Sequence, residues 1–198
     1  MPDSLRSRLI SHAPGEDGRA PWGFDPALLA STLAYGLFVY LMQPTGVVVM
    51  DDEFGYLRSV IETLRFGRPW TDSWLEPWSA SLSVLTALLY RITGSFEFAV
   101  QGTLGICASG AFFATTVLLL APGLKHHAAI LLAALFLSFP TLLWKSVQFT
   151  GLALYLPCLL LALNASEKRR WGRFLVFWSI ALATRQSAFT WGLLPLAE

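Results

Sequence analysis

Three consecutive carboxylates, Asp51, Asp52 and Glu53, lie directly after the first long apolar run, and Tyr56 follows them closely. A carboxylate at the edge of an apolar layer can hold a charge, pair with a cation, or take a proton from a hydroxyl group during a transfer reaction. The same residues could instead stabilise the start of the next helix by capping it or by interacting with its dipole, a contribution of about 0.5–2 kcal/mol. The sequence therefore predicts a candidate site in this segment and leaves both interpretations open.

The composition predicts a membrane protein. Hydrophobic residues make up 55% of the 198 residues, charged residues only 14%, and the mean hydropathy is +0.54. A soluble domain carries about 25% charged residues. A net charge of +1 gives no reason to expect nucleic-acid binding. The two cysteines, Cys107 and Cys158, lie inside apolar runs, where we expect them to pack as small apolar side chains.

The apolar runs predict an all-α, polytopic protein with five to six transmembrane helices. Residues 1–26 form a polar cytoplasmic tail with no apolar segment, so we expect no cleaved signal peptide. Residues 27–198 form the transmembrane domain, beginning with a span at about 27–50. Five further apolar segments, most of them long enough to approach the thickness of a hydrocarbon core of about 30 Å, lie at 78–93, 97–121, 128–144, 147–163 and 174–196.

The loop at 51–77 is expected to contain a helix that lies in the membrane interface. Apolar residues recur on one helical stripe between Glu53 and Phe66; they are Phe54, Leu57, Val60, Ile61 and Leu64. Asp51 or Asp52 is expected to cap this helix, and Gly67 with Pro69 to end it. Three tryptophans then follow as interfacial anchors; they are Trp70, Trp74 and Trp78.

The distribution of Lys and Arg predicts the orientation. If the segment 78–93 crossed the membrane, the basic loop Lys168–Arg173 would lie outside, against the positive-inside tendency. The segment has 16 residues, about 24 Å of helix, and it carries Arg91. We therefore expect a shallow or re-entrant helix there, with five full spans around it. In that topology the basic residues on the cytoplasmic side are Arg6, Arg8, Arg19, Lys125, Lys168, Arg169, Arg170 and Arg173, and those outside are Arg58, Arg65, Arg68, Arg91 and Lys145.

This orientation places the loop 51–77 and a turn at 145–150 on the same, external face of a plasma or inner membrane. At this point the residues suggest a family. The first loop resembles that of the N-terminal part of GT-C glycosyltransferases, and most closely the branch that holds protein O-mannosyltransferases and the lipid A aminoarabinose transferase. The resemblance covers roughly residues 27–196, and its motifs are Asp52-Glu53-x-x-Tyr56, Gly67, Asp72, Glu76-Pro77, Pro140 and Ala183-Thr184-Arg185.

The resemblance implies transfer of a sugar from a polyprenyl-phosphate donor to an acceptor glycan, lipid or protein outside the cell. It implies that Asp52 is the general base or positions the acceptor, and that Glu53 orients Asp52 or contacts the acceptor. The further substrate-binding residues are expected to be Asp51, Tyr56, Glu76, Lys145, Gln148 and Arg185. No cofactor is expected, and a divalent metal requirement stays open.

Two features differ from that branch. The stretch Gln148–Gly151 holds no acidic residue, and no Lys lies beside Pro77. These differences suggest another donor or acceptor, or a protein that has lost catalysis. A second class of function therefore stays open, namely a non-catalytic membrane subunit, a transporter fragment or an inactive remnant whose acids bind a cation or a partner. GT-C enzymes generally have more spans, so we expect the chain to be incomplete at its C-terminus or a shortened relative.

Arg185 lies within an apolar segment, where a charge costs at least about 2.5–3.5 kcal/mol unless it is paired or hydrated. One interpretation is that it binds the phosphate of a lipid-linked donor, which suits bidentate recognition by a guanidinium group. The other is that it pairs with a carboxylate elsewhere in the membrane domain.

The remaining motifs favour structural roles. His126-His127 is expected in a short cytoplasmic loop with no further ligand, so no metal site is predicted. Gly102, Gly105 and Gly110 are typical of close helix contacts. Asn164-Ala165-Ser166 matches an N-glycosylation pattern, but its cytoplasmic position would leave it unused. The Lys168–Arg173 loop is expected to determine topology and to face anionic lipid.

Overall fold

The computed structural model describes residues 25–42, 51–70, 80–120, 123–147 and 151–184. Side chains are described in all of these except at 51–54, 144–147 and 151–152. Within these ranges the chain is all-helical and holds no β-strand, which confirms the all-α part of the predicted fold class. The helices are α1 (Pro26–Met42), α2 (Asp51–Phe66), α3 (Ala80–Thr93), α4 (Phe96–Leu120), α5 (His126–Leu137), α6 (Pro140–Val147), α7 (Gly151–Glu167) and α8 (Trp171–Leu182).

The longest of these helices is α4, and α1, α3, α5 and α7 pack against it. It has 25 residues, about 37 Å of helix, and it is the one described helix long and apolar enough to cross a membrane. Its bounds confirm the helix expected at 97–121. The other apolar helices of the described ranges have 17 residues or fewer.

Small residues let the neighbours of α4 approach its backbone, as predicted for its glycines. A Cβ atom on Gly36 of α1 would overlap the Ser109 hydroxyl and lie 2.7 Å from the Gly105 carbonyl oxygen. On another face, a Cβ atom on Gly110 would lie 3.3 Å from Pro157 of α7. The first contact brings the backbones of α1 and α4 together, and the second packs the Pro157 ring of α7 against the α4 backbone.

The contacts along these helices define the two ends of the bundle. Tyr35 stacks on Phe112 at 5.2 Å between ring centroids, and Tyr40 meets Phe98 at 6.0 Å, so α1 runs antiparallel to α4. Gly110 packs on Pro157, and Phe113 shares a cavity with Leu161 and Asn164, so α7 runs parallel to α4. The residues that follow α4 and α7 therefore lie at one end, called here the basic end, which holds Lys125, His126, His127 and Lys168–Arg173.

The predicted loop at His126-His127 is wrong, because both residues begin α5. His126 Nε2 lies 3.6 Å from Asp25 Oδ2, at the start of α1. Asp25 Oδ1 also accepts a hydrogen bond from the Ala27 N–H at 2.9 Å and so caps α1. These contacts bring the starts of α1 and α5 together at the basic end.

The single helix expected at 128–144 is in fact broken into α5 and α6. The chain leaves α5 at Ser138, whose N–H still bonds the Ala134 carbonyl oxygen, and α6 begins at Pro140. Proline lacks an N–H and disfavours helical geometry in the preceding residue, but it suits the first position of a helix. Because α6 continues to Val147, Lys145 lies in a helix and not in the predicted turn at 145–150.

The helix predicted at Glu53–Phe66 is confirmed with a slightly earlier start, at Asp51. It ends where expected, because Gly67 adopts a φ of +64° that L side chains disfavour. The Trp70 N–H then donates to Thr63 Oγ1 at 3.1 Å, which folds the segment after Gly67 back along α2. Arg58 lies over the Trp70 ring at 5.8 Å, a cation–π distance.

The buried face of α2 differs in part from the predicted stripe. Leu57 and Val60 are buried as expected, but Ile61 is exposed, and Ser59 and Thr63 occupy the buried face in its place. This face packs against α3 and α4 in one apolar cluster, which consists of Leu57, Val60, Leu82, Ala87, Val100, Leu104 and Cys107. The helix is therefore docked on its neighbours by side chains from three elements.

Candidate functional site

The acidic segment forms the first turn of α2. The backbone of Asp51, Asp52 and Glu53 is helical, so the prediction that Asp51 or Asp52 caps this helix is wrong, because both lie inside its first turn. Their side chains lie outside the described set. Position 52 precedes Tyr56 by one helical turn, so the two positions share a helix face. Negative charge in the first turn of a helix interacts favourably with the helix dipole, which keeps the structural interpretation of these acids open.

Tyr56 is the one predicted site residue whose side chain the structure describes. It is half-buried and packs against the α2–α3–α4 cluster around Leu57 and Val60. The cluster fixes the rotation of α2 about its own axis. Tyr56 therefore identifies the side of α2 that faces α3 and α4.

A hydrogen bond joins the start of α3 to the end of α8. Ser81 Oγ donates to the Ala183 carbonyl oxygen at 3.2 Å, across 102 residues of sequence. Thr184 is buried and donates to the Ile180 carbonyl oxygen at 2.7 Å. We call this region the α3–α8 junction and define it by Ser81, Ser83, Ala183 and Thr184.

The junction lies about halfway along the bundle. The α3–α4 hairpin turns at Gly94, where φ is +70°, and Thr86 Oγ1 lies 2.9 Å from Thr103 Oγ1. With 14 residues, α3 extends about 21 Å from that turn, and the 12 residues of α8 extend about 18 Å from the basic end. The short helices α3 and α8 thus meet at a level that the longer helix α4 passes without a break.

One of the three side-chain hydroxyl groups at the junction has no partner in the part of the chain that the structure describes. Ser83 is fully buried, and its hydroxyl oxygen has no hydrogen-bond partner among the described residues. The first turn of a helix also carries N–H groups outside the helix's own ladder and a positive dipole end. The junction therefore holds the Ser83 hydroxyl and a helix start, two kinds of donor that suit an anionic group.

For the other predicted site residues, the structure describes the backbone alone or nothing. Lys145 has a helical backbone in α6, with its side chain outside the described set. Glu76, Gln148 and Arg185 lie outside the described residues. The structure thus brings α2, α3 and the end of α8 together, and Arg185 is the residue that directly follows the buried Thr184.

The described ranges contain no candidate site for metal binding or for thiol catalysis. These hold no group of three or more His, Cys, Asp or Glu residues that could bind a metal ion. Cys107 and Cys158 are free and buried, as expected for packing residues.

The sequence did not indicate a cavity at the basic end. It measures about 450 Å³ and is lined by Phe113, Leu161, Asn164, Ala165, Arg170, Gly172, Arg173, Val176 and Phe177. Only the cluster of arginines in the loop hinted at it. Asn164 is 2% exposed, so burial makes the N-glycosylation pattern inaccessible whichever side it faces.

No protein-family model matches the chain, and neither a curated protein nor a solved structure matches it.

We predict that Ser81→Ala lowers the free energy of unfolding by about 0.5–1.5 kcal/mol, because the hydrogen bond to Ala183 is lost. Ser83→Ala is the matched control two residues away. It removes a buried hydroxyl without a partner and should leave stability unchanged or raise it. Denaturant unfolding of both variants in micelles measures the difference, and equal losses would show that the junction does not depend on this bond.

Proposed function

We propose that this chain is an integral membrane protein with several spans whose basic end faces the cytoplasm. The distribution of side chains supports this placement. Large apolar residues are exposed around the bundle, among them Leu33, Leu41, Leu131, Leu135 and Val176. Exposing such residues to water costs about 25 cal/mol per Å², whereas in lipid the cost disappears.

The interior of the bundle also suits a membrane. A buried hydrogen bond joins two of its helices, with Thr86 Oγ1 of α3 lying 2.9 Å from Thr103 Oγ1 of α4. Small residues at backbone contacts and hydroxyls bonded inside the bundle are the features by which helices associate in lipid. In this placement α5 and α6 cross as one broken span, and α3 enters from outside without crossing.

We predict that a cysteine in the loop near Trp74 reacts with an impermeant maleimide from outside the cell, and that one near Arg170 reacts only after permeabilisation. Ser73→Cys and Glu167→Cys are suitable positions. The native Cys107 and Cys158 are buried and give little background. Labelling of both sites from outside, or the reverse pattern, would contradict the orientation.

The activity we propose is sugar transfer from a polyprenyl-phosphate donor to an acceptor hydroxyl, in a pocket bordered by α2, α3 and the end of α8. In this reaction the acceptor loses a proton while positive charge develops at the anomeric carbon. The bond from the anomeric carbon to the acceptor oxygen forms as the bond to the donor phosphate oxygen breaks, and polyprenyl phosphate leaves. Asp52 takes the proton of the acceptor hydroxyl, and Glu53 orients Asp52. The carboxylates also stabilise the developing charge.

The donor phosphate belongs at the α3–α8 junction. Arg185 follows Thr184 directly, and the first turn of α3 adds N–H groups and a positive dipole end. The remaining assignments follow the resemblance, with Asp51, Tyr56, Glu76, Lys145 and Gln148 around the substrates.

One observation carries this proposal most directly, the hydrogen bond between Ser81 and Ala183. It fixes the residue two positions before Arg185 to α3. The helix that begins with the acidic segment, α2, packs on the same α3 through Leu57 and Val60. The two halves of the proposed site therefore share one supporting helix, although they are more than 100 residues apart in sequence.

We predict that Asp52→Asn reduces transfer at least about 100-fold, because general-base assistance of that size is lost. Membranes containing the full chain are incubated with radiolabelled polyprenyl-phosphate sugars, and the label that leaves the lipid fraction is counted. The substitution keeps the size of the side chain, so insertion into the membrane should be unchanged.

Asp25→Asn is the matched control for this substitution at the basic end. Asparagine caps a helix as well as aspartate does, and the partly exposed pairing with His126 contributes little, so transfer should stay within about twofold. Wild-type turnover in Asp52→Asn would remove Asp52 from the reaction. An equal loss in both variants would indicate a general effect of charge.

A further inference from the structure

The cavity at the basic end combines a positively charged rim with an apolar wall. It lies between the last turns of α7, the first turns of α8 and Phe113 of α4. Among its described lining residues are two arginines, Arg170 and Arg173, and none of these described residues is acidic. Its volume of about 450 Å³ is in the range of ligand-binding pockets.

An unsatisfied amide lies in the floor of this cavity. The Asn164 side chain lines it, is 2% exposed, and its Nδ2 has no hydrogen-bond partner among the described residues. Leaving such a buried donor unpaired lowers the stability of the fold. The cost is recovered if a ligand oxygen accepts from this amide.

The turn between α7 and α8 positions Arg170 and Arg173 at the cavity. The Arg170 N–H bonds the Ala165 carbonyl oxygen at 2.8 Å and the Arg169 N–H bonds Ser166 at 2.8 Å, the pattern of a Schellman motif. Arg169 holds the left-handed position with a φ of +51°, where glycine is usual. This geometry reverses the chain within three residues, so that Arg170 precedes α8 and Arg173 lies in its first turn.

Positive charge is concentrated around this turn. Partial burial lowers the pKa of Lys168, and the adjacent Arg170 lowers it further, while Glu167 acts in the opposite direction. The first turn of α8 adds the positive end of a helix dipole. Among the described residues, apart from its chain neighbours and its own helix backbone, nothing lies within 4 Å of the place where a Cβ on Gly172 would stand, which leaves room for a ligand beside this turn.

The opposite wall is apolar and reaches the outside of the bundle. Leu161, Phe113 and Phe177 form it, and Val176 at its edge is 58% exposed. In a membrane this edge borders the acyl chains. A ligand that fills the cavity therefore needs an anionic head and an apolar tail.

We propose that this cavity binds a membrane phospholipid of net negative charge, with its phosphate on Asn164, Arg170 and Arg173 and one acyl chain along Phe113, Leu161, Val176 and Phe177. Arginine and amide donors match phosphate oxygens, and basic pockets between helices on the cytoplasmic side suit such headgroups. The inference rests on the membrane placement proposed above and is independent of the transferase activity.

The test uses the full chain purified in a neutral detergent. Its thermal midpoint is titrated with dioleoyl phosphatidylglycerol, with dioleoyl phosphatidylcholine, and with inorganic phosphate. We expect phosphatidylglycerol to raise the midpoint in a saturable way and the other two to have little effect. Phosphatidylcholine carries the same acyl chains without net charge, and inorganic phosphate carries the anion without chains.

Three variants locate the binding. Arg173→Gln and Asn164→Leu should each weaken the apparent affinity for phosphatidylglycerol about tenfold, the effect of losing one hydrogen bond to a charged group. Arg169→Gln removes the same charge from the same turn at a position that does not line the cavity, and it should bind within twofold of the wild type. Asn164→Leu should also keep or raise the midpoint without lipid, because an unpaired amide is removed.

Equal stabilisation by the two phospholipids, or by inorganic phosphate alone, would overturn the proposal. An equal loss in Arg169→Gln and Arg173→Gln would reduce it to general charge attraction and so reject the cavity. If Arg173→Gln does not fold, Asn164→Leu decides alone, and wild-type affinity there overturns the site. If the purified chain binds phosphatidylglycerol but shows no sugar transfer, the proposed reaction is rejected and the lipid site remains.

Discussion

The length and the small-residue surface of α4 constrain the rest of this structure. Its 25 residues set the height of the bundle, and its glycines and hydroxyl residues determine how closely other helices approach. Gly36 lies against the Gly105 backbone and the Ser109 side chain, and the Pro157 ring lies against Gly110. Larger side chains at these positions would separate α1 and α7 from α4. The arrangement of helix starts and helix ends at each end of the bundle would then be lost.

Against this long helix, α3 and α8 are too short to extend over the full height, and they meet partway. The consequence is a polar junction inside an apolar bundle, with a buried serine, a helix start and a helix end at one level. Charged or anionic groups are costly at such a depth without donors, and the junction supplies donors. The proposed donor phosphate site uses this interruption, and α2 packs on its outer side through Leu57 and Val60.

The two proposed sites use the same chemistry at different ends of the bundle. At the junction, helix-start N–H groups and Arg185 would hold a phosphate next to the acidic segment. At the basic end, Asn164, Arg170 and Arg173 would hold the phosphate of a structural lipid. A lipid bound there would fix the ends of α7 and α8 to each other and to α4, and thereby hold α8 in the position from which Ala183 reaches Ser81.

Local signals in the sequence predicted the local structure well. The apolar run of α4, the Gly67–Pro69 end of α2 and the burial of Leu57 and Val60 all follow from periodicity and from the conformational preferences of glycine and proline. The break before Pro140 was missed because the apolar composition continues across it. Ile61 was assigned to the buried stripe because α2 is apolar over a wider arc than its neighbours cover.

Features that depend on distant contacts could not be predicted in this way. The bond between Ser81 and Ala183 joins residues 102 positions apart, and no local pattern marks either of them. The left-handed turn at Arg169 was hidden because the usual glycine is absent. The Asn164 amide became recognisable as a ligand group only when its burial and the surrounding cavity were known.

The central claim is that Asp52 and Arg185 belong to one pocket, and the distance between these two positions tests it most directly. Spin labels are attached at Asp52→Cys and Arg185→Cys in a chain whose Cys107 and Cys158 are replaced by alanine, and their separation is measured by pulsed electron resonance in lipid nanodiscs. The account predicts a narrow distribution centred well below the roughly 30 Å thickness of the hydrocarbon core. A separation equal to or greater than that thickness would contradict it.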